Sequence, residues 1–169
     1  PVRITCINLN GAGVYSTLTG MDENPLSAVF KITYGAFDEV IGGDLTGSTA
    51  RMDDVETTVA PQVGPVEVYK VHHHGSAYSS NDNWLNATTP LVGIVSVGND
   101  NAFGHPAPSA MKRLHDHGVK TYWTETGRGV APDPAWDRVG GTVRIEAEPT
   151  PGAAFTVTGM GFRDPYVNR

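Results

Sequence analysis

The run Val92–Val97 constrains the fold more than any other feature, because it is apolar along nearly its whole length. A strand with one solvated face alternates polar and apolar residues, whereas a strand covered on both faces does not. We therefore predict a strand buried on both faces, and such strands lie inside sheets that carry further layers. The polar, glycine-containing segment Gly98–Asn101 predicts a loop at the end of that strand.

The rest of the chain predicts a layered α/β domain with a mixed sheet. Alternating β-type residues and turn signals predict further strands at Val2–Leu9, Ser27–Tyr34, Phe37–Ile41, Val66–Val71, Lys120–Trp123, Thr142–Ile145 and Ala154–Thr158. Helical patterns cover Thr49–Ala60, ended by Pro61; Ser79–Asn86, capped by Ser80 or Asn81; and Pro108–His117, ended by Gly118. We expect residues 127–141 to form an exposed loop and the tail 163–169 to be frayed.

Composition and charge limit the function classes. The 169 residues fit one domain, and no apolar run approaches membrane-spanning length. A net charge of −6, with twelve lysines and arginines, argues against a broad cationic patch that coats nucleic acid. It does not argue against nucleic acid held at a metal site, where the cations supply the positive charge. Cys6 is the single cysteine, so neither an intrachain disulfide nor a cysteine-based zinc site is available.

Three consecutive histidines, His72–His74, follow the predicted strand Val66–Val71 and precede Gly75. Imidazole is the commonest protein metal ligand, and the end of a strand holds a side chain rigidly. Because consecutive residues of an extended segment point to opposite faces, at most two of the three can face one site. The cluster therefore predicts a metal site or an acid–base site.

Two further residues follow predicted strands. Asp44 comes after Phe37–Ile41 and two glycines, which allow close approach of a ligand. Its carboxylate can bridge two divalent cations in a hydrolytic site, and the alternative is a turn or capping aspartate. His105, in the loop after the buried strand, is a metal ligand, a residue that orients a ligand, a general acid or a cap for the next helix. His115 and His117 are two apart on a helix and do not share a face.

Four ordered motifs carry a resemblance to a known family. They are Asn24…Ser27-Ala28-Val29…Ile41-Gly42-Gly43-Asp44-Leu45, Val71-His72-His73-His74-Gly75-Ser76, Ser96-Val97-Gly98-Asn99-Asp100-Asn101-Ala102-Phe103-Gly104-His105-Pro106 and Tyr122-Trp123-Thr124-Glu125-Thr126-Gly127. From about residue 24 to residue 129, the chain resembles the hydrolase domain of the ComEC/Rec2 competence proteins, which belong to the metallo-β-lactamase superfamily.

The resemblance implies an αββα sandwich with one or two divalent metal ions, zinc or manganese. It also implies phosphodiester hydrolysis by a metal-bound hydroxide, with nucleic acid as substrate. Asp44 matches the family's bridging aspartate, and His74 is our first choice for the ligand histidine of its His-His-Gly-Ser motif. His105 matches the family's Gly-His-Pro histidine near the substrate, and we assign catalytic roles to His105 and His73. The His-His-Gly-Ser motif maps onto His73 and His74, since His72 stands where the family commonly has proline. Which of the two is the ligand stays open.

One departure from the family is large. The superfamily opens its site with His-x-His-x-Asp-His, and this string does not occur in the chain. We therefore expect the C-terminal half of the sandwich, with helices on one face of the sheet, and a site that is incomplete without the N-terminal half. The start at Pro1 without a methionine favours a missing half. An exposed half-sandwich face would also allow a homodimer.

Three functions remain in competition. The first is a metal-dependent phosphodiesterase or nuclease of bacterial DNA uptake. The second is a small-ester or lactone hydrolase of the same superfamily, which the acidic charge favours slightly. The third is a degenerate, non-catalytic module that has lost its metals. The resemblance favours the bacterial cell envelope or secretion over the cytoplasm, but stand-alone relatives of the family are secreted or cytoplasmic, so the compartment stays open.

Overall fold

The computed structural model describes residues 1–11 and 22–169. A mixed sheet contains, in spatial order, β1 (Val2–Asn8), β2 (Val29–Tyr34), β3 (Phe37–Ile41), β4 (Val68–Lys70), β5 (Val92–Val95), β6 (Lys120–Trp123) and β7 (Asp137–Val139). The helices are α1 (Glu56–Val63), α2 (Asp82–Thr88) and α3 (Pro108–Asp116). A smaller antiparallel sheet consists of β8 (Arg144–Ala147), β9 (Ala154–Gly159) and β10 (Phe162–Val167). The mixed sheet of a layered α/β fold is thereby confirmed.

Pairing within the large sheet changes direction at β3. Strands β1, β2 and β3 pair antiparallel, and the pairs from β3 to β7 are parallel. Each of α1, α2 and α3 connects two neighbouring parallel strands. Strand β5 lies between β4 and β6 with layers on both faces, as its apolar run predicted.

The helices cover one face of the large sheet. Alternate residues of its strands, Val40, Tyr69, Val95 and Trp123, join a buried cluster with Val59, Ala60, Val63, Trp84, Leu85, Met111 and Leu114 from the three helices. Asn81 caps α2, because its side-chain oxygen accepts a hydrogen bond from the backbone N–H of Trp84 at 2.8 Å. Within the residues that the structure describes, no helix has the length and apolarity needed to cross a bilayer.

The opposite face of the large sheet is covered only in part. The small sheet packs Phe155 and Val157 onto Phe37, Val68, Val92 and Tyr122. The antiparallel register places Val2, Ile4, Phe30 and Ile41 on this same face, farther toward β1. Their exposed fractions are 60%, 66%, 38% and 36%. We call these four residues the open face.

Helix α1 differs from the prediction. It begins at Glu56 rather than Thr49, and it continues through Pro61, which was expected to end it. Proline removes one backbone donor, at a cost in helix stability. Burial of Val59, Ala60 and Val63 against the sheet offsets that loss, since packing of an apolar face supplies most of a helix's stability in a protein.

Two predictions about the C-terminal third were wrong. The segment 127–141 is not all loop, because β7 lies within it and pairs with β6. The tail 163–169 is not frayed, because most of it belongs to β10, and the Arg169 guanidinium donates to the carbonyl oxygens of Val66 and Thr89. The alternating polar residues and Pro165 are the reason that β10 was not predicted from the sequence. Proline is nevertheless compatible with an edge strand such as β10.

We expect Leu114→Ala in α3 to lower the free energy of unfolding by about 2–5 kcal/mol, because it leaves a cavity in the core. Urea denaturation followed by circular dichroism measures the loss. Met160→Ala, at a side chain that is 81% exposed, should change it by less than about 0.5 kcal/mol. Equal effects of the two substitutions would contradict the assignment of the helix-side core.

Candidate metal-binding site

Parallel pairing brings the sequence-predicted site residues to one edge of the large sheet. Asp44 follows β3, the histidine cluster follows β4, and the loop with His105 follows β5. The carboxyl ends of adjacent parallel strands lie side by side, which is where open α/β sheets bind ligands. Three separate segments of the sequence therefore meet there.

The position of Asp44 is set by its backbone. Gly43 adopts a left-handed conformation with φ of 56°. The Asp44 N–H then donates to the hydroxyl of Ser27 at 3.1 Å. A Cβ atom on Gly43 would lie 3.2 Å from that hydroxyl oxygen, so glycine also gives the serine room. The resulting turn presents the carboxylate at the lip of the sheet.

The three histidines do not alternate as an extended segment would. His73 and His74 both have left-handed backbone angles, with φ of 50° and 54°. This conformation is unfavourable for residues with a Cβ atom. The N–H of His73 donates to the carbonyl of Gly43 at 3.0 Å, which ties the turn to the segment that holds Asp44. His72 turns into the core, whereas His73 and His74 remain at the sheet edge.

Asp44 and His74 form the centre of the candidate site. Nε2 of His74 lies 3.5 Å from a carboxylate oxygen of Asp44, and both side chains are partly exposed. Nδ1 of His74 lies 2.7 Å from the carbonyl oxygen of Ser96. A carbonyl only accepts, so Nδ1 carries the proton of this bond, and Nε2 is the nitrogen that faces the carboxylate. A backbone carbonyl behind a histidine orients metal-binding imidazoles in the same way.

His105 lies beside the two exposed histidines. Its ring centre is 5.4 Å from that of His73 and 6.5 Å from that of His74. Asn101 holds its backbone from both sides, accepting from the His105 N–H at 2.8 Å and donating to its carbonyl at 3.0 Å. Burial lowers the pKa of both His73 and His105, and the nearby Asp44 carboxylate opposes that shift. The two imidazoles are therefore biased toward the neutral form.

The Thr124–Gly127 motif supports the loop from behind. The Arg128 N–H donates to the carbonyl of His105 at 2.9 Å. A Cβ atom on Gly127 would lie only 2.5 Å from the same carbonyl oxygen, so glycine is needed for this approach. Thr126 donates to the side chain of Asn99 through its hydroxyl, at 2.7 Å. These contacts hold the two distant motifs against each other.

A cavity of about 340 Å³ opens beside His74 and His105. Asn101 and Phe103 also line it, and the Phe103 ring stacks on His105 with centres 5.9 Å apart. This volume is at the lower end of the range for small-molecule sites, about 300–1,000 Å³. The site has room for a small substrate or for one unit of a larger one.

A divalent metal fits this edge of the sheet only in part. A carboxylate and an imidazole are suitable donors for zinc or manganese. Among the described residues, 1–11 and 22–169, however, no group of three or more histidine, cysteine, aspartate or glutamate side chains is arranged to hold a metal. Asp44 and His74 thus supply two donors, and a structural or catalytic zinc needs at least three from protein.

The structure brings Asp44, His73, His74 and His105 together, while their roles as ligands and catalytic groups stay predictions. His115 and His117 lie elsewhere, where they contact Asp137 and Asp82 at 2.8 and 2.9 Å. Sequence reasoning missed Glu56, whose buried carboxylate contacts His72. A glutamate in the first turn of a helix is usually solvated, so the sequence carried no signal for this contact.

The fold and this edge of the sheet define a mixed α/β domain with an aspartate–histidine cluster at the ends of its parallel strands. Part of the chain is similar in sequence to competence and recombination proteins. Competence protein ComA of Neisseria gonorrhoeae is 31% identical over 107 residues, which are 62% of this chain and 15% of that protein. Recombination protein 2 of Haemophilus influenzae is 31% identical over 93 residues, 55% of this chain and 11% of the relative.

ComE operon protein 3 of Bacillus subtilis is 29% identical over 82 residues, which cover 48% of this chain and 10% of the relative. No family model matches the chain. The chain is homologous to one segment of these competence proteins, which confirms the resemblance predicted from the motifs. It corresponds to a small part of each relative's length.

We expect Gly42→Ala to lower the free energy of unfolding by about 1–3 kcal/mol, because overpacking forces buried side chains to shift. The added Cβ atom would lie 2.2 Å from Nε2 of His72. Gly98→Ala is the matched control, since nothing lies within 4 Å of its added Cβ atom. It should leave stability unchanged within about 1 kcal/mol. Thermal and urea unfolding measure both, and an unaffected Gly42→Ala variant would contradict the packing of His72 under this loop.

Proposed function

We propose that this chain is part of a metal-dependent hydrolase, a phosphodiesterase or nuclease, in which Asp44 and His74 hold one side of a divalent metal site. The observation that carries the proposal is the 3.5 Å approach of His74 Nε2 to the Asp44 carboxylate, with Nδ1 already held by a carbonyl. Two donors that converge from different strands, one with a fixed tautomer, are suited to a shared cation. Zinc and manganese both fit this donor pair.

The metal would supply Lewis-acid activation of water and of a phosphoryl oxygen. The chain's own residues perform the remaining tasks. His105 and His73 are biased toward the neutral form, so each can accept or transfer a proton, His105 at the cavity wall and His73 beside His105. Asn101 fixes the backbone of His105 and thereby the position of its ring. Phe103 also lines the cavity.

We propose that the site is completed by the N-terminal half of the same fold. Two donors are fewer than a hydrolytic metal site requires, and the relatives extend far beyond the matched segment. The open face supports this arrangement, because four apolar side chains of one sheet face are left exposed beside the site-bearing strands. A homodimer through the same face is the alternative occupant.

The biological role that we propose is DNA uptake at the bacterial envelope. The names of the relatives refer to competence and recombination. DNA as substrate is compatible with the acidic chain, because the metals would neutralise the phosphates. Hydrolysis assays on a protein that contains both halves, with single-stranded DNA and a small phosphodiester, test the activity.

A small-ester or lactone hydrolase is the second candidate, and the net charge of −6 favours it. The same two-half protein should then hydrolyse esters or lactones and leave DNA intact. If the two-half protein contains no stoichiometric metal and is inactive on every substrate, the chain is instead a non-catalytic module.

We expect Mn²⁺ to broaden the amide NMR signals of residues 43–44 and 73–75 selectively, because a paramagnetic ion acts only on nearby nuclei. The double variant D44N/H74Q should lower the Mn²⁺ affinity at least tenfold, since it removes both donors. D82N/H117Q is the matched control, because it changes a second aspartate–histidine pair, 2.9 Å apart, outside the cavity. Equal broadening in the wild type and D44N/H74Q would refute the metal site.

The open face predicts self-association of the isolated chain. Ile4→Lys should shift sedimentation velocity profiles toward the monomer, because a buried lysine in an apolar contact is unfavourable. Thr5→Lys is the matched control, since Thr5 is exposed on the opposite face of the same strand and the added charge is equal. If both variants behave alike, or the wild type is monomeric at every concentration, the open face is not an association surface for this chain.

A further inference from the structure

A buried acid–imidazole pair lies directly beneath the candidate site. Glu56 and His72 are both fully buried, and Nδ1 of His72 lies 2.7 Å from Oε1 of Glu56. Neither residue lines the cavity beside His74. Nothing in the proposed chemistry uses them, although burying two ionisable side chains is costly.

Glu56 joins three loops at the site edge of the sheet. Its Oε1 accepts the N–H of Ser80 and its Oε2 the N–H of Asn81, both at 2.7 Å, at the start of α2. Gly47, in the segment after Asp44, lies so close that a Cβ atom there would be 2.0 Å from Oε2. The third loop is the histidine turn, which Glu56 holds through His72.

His72 in turn contacts the two backbone segments that carry the candidate ligands Asp44 and His74. Its ring packs on Trp84 and Tyr69, with centres 4.5 and 4.9 Å away, and its N–H donates to the Tyr69 hydroxyl at 3.0 Å. Its Nε2 has no hydrogen-bond partner and lies under Gly42. The same ring therefore supports the Gly42–Asp44 turn from below and begins the turn that carries His74.

We propose that Glu56 and His72 are a positioning pair that sets the distance between Asp44 and His74. This inference rests on the proposed metal site. Replacing a buried polar pair with apolar side chains is often neutral or favourable for stability, so stability alone is a weak reason for the pair. The pair instead contacts the two backbone segments that carry Asp44 and His74. A cation shared by these two side chains requires a defined distance between the segments. Glu56 and His72 act through Asp44 and His74 and do not contact substrate.

The test compares two substitutions of His72. His72→Leu has a similar size and cannot donate to Glu56, whereas the side-chain amide of His72→Asn can place a donor near the position of Nδ1. We expect H72L to weaken Mn²⁺ binding about tenfold, H72N to stay within about threefold of the wild type, and E56A to resemble H72L. Amide hydrogen exchange of His73, whose N–H is bonded to the Gly43 carbonyl, should accelerate in H72L and not in H72N.

Val157→Ala controls for a general loss of stability, because Val157 is fully buried in the separate core under the small sheet. Its Mn²⁺ affinity and its His73 exchange should match the wild type. The pair has no positioning role if H72L keeps native affinity and exchange, if H72N is as impaired as H72L, or if V157A reproduces both effects.

Failure of the metal site itself is separable. Should the wild type and D44N/H74Q bind Mn²⁺ equally, the proposed function fails, and the His73 exchange rates alone decide the positioning pair. Faster exchange in H72L with native exchange in H72N and V157A supports it, and any other pattern overturns it.

Discussion

Parallel pairing of β3, β4 and β5 is the constraint on which the rest of the molecule depends. It places the ends of three strands side by side, although Asp44, His74 and His105 are far apart in sequence. The hydrogen bond from the His73 N–H to the Gly43 carbonyl then joins two of these ends beyond the sheet itself. Both the helix layer and the small sheet depend on the same strands, because each packs on one of their faces.

The sequence predicted the large sheet well where local patterns and burial agree. Strand β5 and the β2–β3 hairpin carry unambiguous signals, and α3 begins with proline and ends near glycine. It failed where distant contacts decide the structure. Arg169, just beyond the end of β10, donates to the carbonyl oxygens of Val66 and Thr89, which are 103 and 80 positions earlier. Such contacts leave no periodic signal in a single sequence.

The candidate site was predictable as a set of residues but not as a geometry. Motifs identified Asp44, His73, His74 and His105, and the structure places all four at one edge. The extended-chain argument allowed two histidines at the site without saying which, because the left-handed turn depends on contacts with Gly43 and Glu56. The buried Glu56 carboxylate was invisible for the same reason: its partners lie 16 to 25 positions away.

At His73 and His74, the left-handed backbone conformation lowers the stability of the fold, and the same conformation places two imidazoles at the edge of the sheet. Each non-glycine residue in such a conformation costs about 1–3 kcal/mol, and glycine or asparagine would relieve most of it. Neither replacement offers an imidazole. Selection for a more stable fold would therefore remove the histidines first, whereas selection for an imidazole at this edge must keep the strain. The strain is the cost of placing two imidazoles at this edge of the sheet, where the proposed metal site would use them.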